Sequence, residues 1–329
     1  MILKGINIGG WLSQTKNFNK DHFDTFITEK DITKLKKWGM NTVRIPFDYN
    51  CILNDSKKLN FNPLGIKYIE RITKWCIDNN LICVLDFHIT PWHHFLDKNI
   101  DFFNDQKIIN QHITILEYIL SNIKESKNIY LELLNEPQCN NDELLNQFYK
   151  LAINRIRKKG YKNKLVIESN LAGNTDTFGK LEEFFDYDDI AFSFHFYNPI
   201  QFTHQKAYWT DEGSDKTLYF PYINDNINYD ENYLLKKLKP VIDFSRKTNK
   251  QIFCGEFGVY LEAPYQSRLN WIECMLKIFQ EYNIGFLYWT YKNLDFGIIN
   301  NQEQFKDLDE YNNKDSIDLI LLNLLKKYF

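Results

Sequence analysis

Residues 129–137 read Ile129-Tyr130-Leu131-Glu132-Leu133-Leu134-Asn135-Glu136-Pro137, a short apolar run that stops on an amide, a carboxylate and a proline. Six mostly apolar positions ended by such a stop predict a buried β-strand. The pattern returns at Gln251-Ile252-Phe253-Cys254, closed by Gly255-Glu256-Phe257-Gly258. Six further runs, at 3–8, 42–45, 81–86, 164–167, 190–194 and 284–289, bring the predicted strands to eight. Helical stretches lie between them. Strands that alternate with helices imply a parallel sheet, and eight such units imply an α/β protein with a closed (β/α)8 barrel of the TIM type.

The helices have readable ends. Thr28 ahead of Glu29-Lys30-Asp31 is a cap-like start and Gly39 a stop, with Ile32, Leu35 and Trp38 at helical spacing for packing on the barrel. Asp142 opens and Gly160 closes another, and residues 317–325 read as the eighth. One connection is too long. More than fifty residues separate strand six, near His195, from strand seven, near Ile252, and a helix over 232–248 leaves 199–231 as an inserted rim subdomain between strand 6 and helix 6. The expectation is one domain over 1–329.

A formal charge of −3, with 44% hydrophobic and 25% charged residues, predicts a soluble globular protein with neither nucleic acid nor membrane as partner. No run of 18 apolar residues is present to span a bilayer. Cys51, Cys76, Cys83, Cys139, Cys254 and Cys274 lack close pairing, so reduced thiols are expected. Met1 leads almost directly into a strand with no export-signal pattern, which predicts a cytoplasmic chain as it stands, or a secreted one if a leader was trimmed. A monomer is expected.

In a parallel barrel all strands point their C-terminal ends at one face. The polar and aromatic residues there are Asn7, Arg44, His88, Asn135, Glu136, His195, Tyr197, Glu256 and Trp289. Glu136 and Glu256 are 120 positions apart yet would face each other across one pocket. Such a pair suits glycosidic-bond hydrolysis, one carboxyl giving a proton while the other attacks or activates water. The 16% aromatic content and the loop residues Trp11, Trp92 and Trp209 offer flat faces for pyranose rings.

Gly5-Ile6-Asn7-Ile8-Gly9-Gly10-Trp11, Val43-Arg44-Ile45-Pro46, Leu133-Leu134-Asn135-Glu136-Pro137, His195-Phe196-Tyr197 and Gly255-Glu256-Phe257-Gly258 occur in that order. In this the chain resembles the glycoside hydrolases of family 5, the cellulase family, over essentially its whole length. Residues 22–31 and 195–207 are similar to the small single-module clostridial endoglucanases of that family. The resemblance implies a retaining endo-β-1,4-glucanase, acting on soluble cellulose-type and mixed-linkage β-1,3-1,4-glucans without cofactor or metal. It implies Glu136 as acid/base and Glu256 as nucleophile, with carboxyls about 5–5.5 Å apart, and Arg44 as a substrate-binding cation beside Glu256. Asn135 would bind the sugar 2-hydroxyl, and Tyr197 would orient Glu256. His88 and His195 would bond substrate or acid, Trp289 would floor the scissile sugar, and Asn7 and Trp209 would contact substrate.

The chain departs from its clostridial relatives at Ile89-Thr90-Pro91-Trp92-His93-His94 and around 211–230, so substrate preference is where alternatives stand. They are a β-mannanase or β-1,3-glucanase of the same family, and a catalytically silent sugar-binding barrel. A metal-dependent hydrolase built on His88, His93 and His94 is a more distant rival, because strand one ends Asn7-Ile8-Gly9 rather than in a histidine pair.

Overall fold

The computed structural model describes residues 1–97, 100–300 and 316–329. Eight parallel strands form the barrel: β1 (Lys4–Asn7), β2 (Thr42–Phe47), β3 (Ile82–Phe87), β4 (Ile129–Glu132), β5 (Lys164–Glu168), β6 (Ile190–Phe196), β7 (Gln251–Phe257) and β8 (Gly285–Tyr288). Each pairs with its sequence neighbours, and β1 closes the ring on β8 through Lys4 opposite Phe286 and Ile6 opposite Tyr288. All eight strands lie within the predicted runs or extend them by a few residues.

Helices cover the outside, so strand residues are buried on both faces, which is why the strands read as continuous apolar runs. The helices are Glu29–Lys37, Pro63–Asp78, Gln106–Ser121, Asp142–Lys158, Glu231–Ser245, Tyr265–Glu281 and Leu319–Lys326. Thr28 and Asp31 form a reciprocal capping box at the first. After β5 the helical position is held by a 3-10 helix, Thr175–Phe184. The segment after β6 carries a short helix, Ile200–Thr203, and an antiparallel hairpin of Tyr222–Asn224 with Ile227–Tyr229. All six cysteines are free thiols. No described helix is long and apolar enough to cross a membrane.

The barrel interior is layered. Leu3, Ile82, Val84, Tyr130, Val166, Ala191, Phe253 and Leu287 fill its lower part as one apolar cluster. Two residues further along the strands, at the next inward positions of a period-two element, the lining becomes polar: Asp86 follows Val84, Glu132 follows Tyr130, Glu168 follows Val166 and Ser193 follows Ala191. All four are fully buried. The apolar layer seals one end and the polar layer supports the site at the other.

Candidate active site

Arg44, fully buried on β2, is the hub. Its Nε and Nη2 donate to Glu132 at 2.8 and 3.2 Å, and Nη2 also donates to Asn135 Oδ1 at 2.8 Å and lies 3.0 Å from Asp86. Its Nη1 donates to Asn7 Oδ1 at 3.1 Å and to Glu256 Oε1 at 2.6 Å. A planar fork of five N–H donors can serve this many acceptors, which a compact ammonium cannot. Asn7 donates to the carbonyls of Gly255, Leu287 and Tyr288 at 2.9–3.3 Å. Asn7 and Arg44 are wholly enclosed, so the structure places these two expected substrate contacts beneath the cleft, where their polar groups are already engaged.

Glu256 stands out of register. The ladder between β7 and β6 shifts between Cys254 and Glu256, a bulge that re-aims the side chain. Gly255 permits this, since a Cβ there would lie 2.6 Å from Ser193 Oγ and 3.0 Å from His195 Nε2. The second oxygen of Glu256 accepts from the Tyr197 hydroxyl at 3.0 Å.

Glu136 follows β4 with φ of +42°, and its backbone N–H donates to Glu168 Oε2 at 2.9 Å. Its carboxyl, 16% exposed, meets His195 Nδ1 at 2.8 Å through Oε1. Ligating atoms of Glu136, His195 and Glu256 all lie within 4.8 Å of one another. Asn135 Nδ2 is buried and makes no hydrogen bond within the protein.

Five carboxyls (Asp86, Glu132, Glu136, Glu168 and Glu256) thus share the space around Arg44 and His88. Burial foremost raises Glu136, against the opposing pull of His88, His94 and Arg44. Burial also lifts Glu132 to about 7, although Arg44 opposes it. Asp86 goes the other way: burial alone would raise it, but Arg44 and His88 outweigh that and hold it below the usual carboxylate range. Burial would press His88 towards neutrality, yet Asp86, at 2.7 Å from its Nδ1, carries it to about 9. His195 is driven to about 3, mainly by burial.

The cleft above is a cavity of about 410 Å³ lined by Gln14, His88, Phe95, Glu136, Tyr197, His204, Tyr208, Trp209, Glu256 and Trp289, closed by Leu294, Asp295 and Phe296. Trp289 stacks on His88 with centroids 5.8 Å apart and planes 11° from parallel. Gln14, Phe95 and Trp209 also line an adjoining cavity of about 1070 Å³. A cavity of about 440 Å³ at the other end of the barrel, between Met1 and Lys250, holds none of these residues.

Trp11 is a core residue, its Nε1 bonded to the Phe23 carbonyl at 2.9 Å. Trp92 is half-buried against the core, and Trp209 is 44% exposed at the cleft. His88, His93 and His94 do not converge on one point. His88 bonds Asp86 and Gln14, and His93 lies 3.2 Å from the Asn135 carbonyl while its Nδ1 accepts from Phe95 N–H at 3.3 Å. Asp86, Glu132, Glu168, Gln14 and Phe95 are site residues that strand ends alone did not single out. For the first three the signal was present, as charges at inward positions of apolar strands.

With this geometry in hand, comparison with known proteins is informative. A family model described as cellulase (glycosyl hydrolase family 5) matches residues 5–295. Endoglucanase C of Acetivibrio thermocellus is 36% identical over 319 residues, covering 90% of this chain and 93% of that one. Cellodextrinase A of Ruminococcus flavefaciens is 29% identical, covering 86% and 84%. Among solved structures, the clostridial cellulose synthase subunit Z of Clostridioides difficile superposes with a TM-score of 0.79 at 27% identity, covering 99% of each chain.

Proposed function

The chain belongs to glycosyl hydrolase family 5, and from that premise we propose that it is a retaining endo-β-1,4-glucanase of soluble β-glucans, cellulose-type and mixed-linkage, with Glu136 as acid/base and Glu256 as nucleophile. The observation that carries the reading is the meeting of the two carboxyls in one cleft, with oxygens within 4.8 Å. Retaining enzymes hold their carboxyls about 5–5.5 Å apart, whereas inverting ones leave about 6.5–9.5 Å for a water.

In the first step Glu256 attacks the anomeric carbon while Glu136 passes its proton to the departing glycosidic oxygen; the C–O bond breaks and a glycosyl ester forms on Glu256. In the second, Glu136 takes a proton from water, whose oxygen attacks the same carbon and frees Glu256. The raised proton affinity of Glu136, from burial foremost, favours the loaded acid. Arg44 and Tyr197 hold one oxygen of Glu256 each, which fixes the attacking carboxylate in position. The free Asn135 Nδ2 is available to the sugar 2-hydroxyl, and Trp289 offers its ring face to the scissile sugar.

Endo action is supported by the two adjoining cavities, which share Gln14, Phe95 and Trp209 and together exceed what one sugar needs. The relative named endoglucanase C points the same way. The test is product analysis on mixed-linkage β-glucan, carboxymethyl cellulose, laminarin and mannan, following reducing ends and viscosity together. The reading predicts a fast viscosity drop on the first two with the others spared. Activity confined to laminarin or mannan would move the substrate to β-1,3-glucan or β-mannan, and no activity on any of the four would leave a sugar-binding barrel.

A further inference from the structure

Behind Glu136, at the end of β5, lies a carboxyl that never reaches the cleft. Glu168 is fully buried. Its Oε2 accepts from the backbone N–H of Glu136 at 2.9 Å. Its Oε1 lies 3.5 Å from His195 Nε2, and neither atom has a hydrogen-bond partner in the protein, which leaves two buried polar atoms facing each other. The other nitrogen of the same imidazole rests on Glu136 Oε1 at 2.8 Å. Glu168 therefore reaches Glu136 twice, through the backbone and through His195.

The chain around Glu168 is built to hold it there. Leu171, Ala172 and Gly173 form three consecutive left-handed residues, with φ of 54°, 58° and 72°. Non-glycine residues in this region are strained and persist only where their surroundings enforce them. A Cβ at Gly173 would stand 2.3 Å from Glu168 Oε1 and 2.6 Å from the His195 backbone nitrogen. Ala172 N–H donates to the Pro137 carbonyl at 3.0 Å, tying the turn to the segment that carries Glu136.

We propose that Glu168 is a positioning residue for the acid/base: as a neutral carboxylic acid it gives its O–H to His195 Nε2 and so fixes the imidazole as the Nδ1–H tautomer. This rests on the reading of Glu136 given above. A neutral imidazole carries one N–H. Placed on Nδ1, it donates to Glu136 Oε1, leaving the acid's own proton on the other oxygen for the substrate. Placed on Nε2, it leaves a bare Nδ1 that accepts the Glu136 proton and withholds it from the leaving group. Burial foremost, then Glu132 and Glu136, holds Glu168 well above the ordinary carboxylate range, which favours the neutral form that can donate to Nε2. The other titratable or charged groups around Glu136 include His88, His94, Arg44, Asp86, Tyr197 and Glu256, the last 3.7 Å from His195 Nδ1, and none of them contacts His195 Nε2.

The experiment compares Glu168→Leu and Glu168→Gln with the parent, as pH profiles of kcat/KM on polysaccharide and on an aryl glycoside with a good leaving group. Glu168→Leu is expected to lose about 10²-fold on polysaccharide, the scale of a misplaced catalytic group. It should lose much less on the aryl glycoside, which needs little protonation. Its basic limb should move to higher pH, because the Glu136 carboxylate loses the N–H that stabilised it. Glu168→Gln supplies an N–H to His195 Nε2 and a carbonyl to Glu136 N–H, so it should recover most of the turnover and the parental limb.

A Glu168→Leu protein with an unmoved limb and equal losses on both substrates would overturn the proposal, as would a Glu168→Gln protein no better than it. If Glu168→Leu fails to fold, a loss of turnover in folded Glu168→Gln is by itself enough to overturn it. Glu136→Gln run alongside separates the two claims. Unchanged polysaccharide turnover there removes the acid/base assignment and this one with it. Loss there beside a parental Glu168→Leu removes only the role of Glu168.

Discussion

Arg44→Lys keeps the charge and changes only the shape of the donor. Arg44 reaches Glu132 twice and Asp86, Glu256, Asn7 and Asn135 once each. A lysine ammonium has three donors for these six contacts, so at least three are lost, one or more of them to a carboxylate, at a site with no exposure to solvent. Hydrogen bonds to charged groups contribute about 1.5–3 kcal/mol each, so three cost roughly 4–5 kcal/mol at the least, in line with the 3–5 kcal/mol for breaking a buried pair. For 329 residues the unfolding entropy is about 0.7 kcal/mol per degree. A loss of about 4 kcal/mol then lowers Tm by about 6 °C. Glu256 and Asn135 lose their shared anchor at the same time, so turnover should fall by about 10²-fold even where the protein stays folded. Scanning calorimetry and initial rates on carboxymethyl cellulose measure both effects. A variant within about one degree of the parent and still fully active would refute the view that the guanidinium fork organises this site.

Glu136→Ala should lose turnover steeply on polysaccharide and far less on aryl glycosides with good leaving groups; equal losses on both would count against its acid/base role. Trp289→Ala should weaken sugar binding and turnover with little change in Tm, whereas parental kinetics would remove it from the cleft. Stability should peak at about pH 6.5. His88, raised to about 9, and Glu132, raised to about 7, contribute stability that is complete below their unfolded values and lost as pH rises through the folded ones. His93 and His195, depressed to about 3, and His112 and His204, depressed to about 4, contribute stability that is present above about pH 6.5 and lost as pH falls. Calorimetry from pH 4 to 10 checks this, and a Tm still climbing at pH 9 would contradict it.

The barrel was legible because each strand is buried on both faces and so reads as an apolar run with a polar stop. The same rule singled out Glu136, Tyr197 and Glu256, which line the cleft, and His195, which is buried against Glu136. It expected Asn7 and Arg44 to contact substrate, whereas both are buried beneath the cleft, because sequence position does not say on which side of the polar layer a side chain finishes. It passed over Asp86, Glu132 and Glu168 because one charge within an apolar run disappears in a hydrophobicity reading, although the two-residue inward period carries the information. The 3-10 helix after β5 and the left-handed turn Leu171–Gly173 were illegible for a different reason. Nothing in local propensity announces either, and at Gly173 it is the close approach of Glu168 and the His195 backbone that leaves no room for a Cβ.

The central claim is that Glu256 becomes esterified to the sugar while Glu136 handles the proton. The most direct test is to incubate the enzyme with a 2-deoxy-2-fluoro cellobioside bearing a good leaving group and locate the trapped adduct by peptide mass spectrometry. The account predicts a stable glycosyl ester on Glu256 and none in Glu256→Ala. An adduct on Glu136 or elsewhere, or none at all with natural substrate released as the inverted anomer, would contradict it.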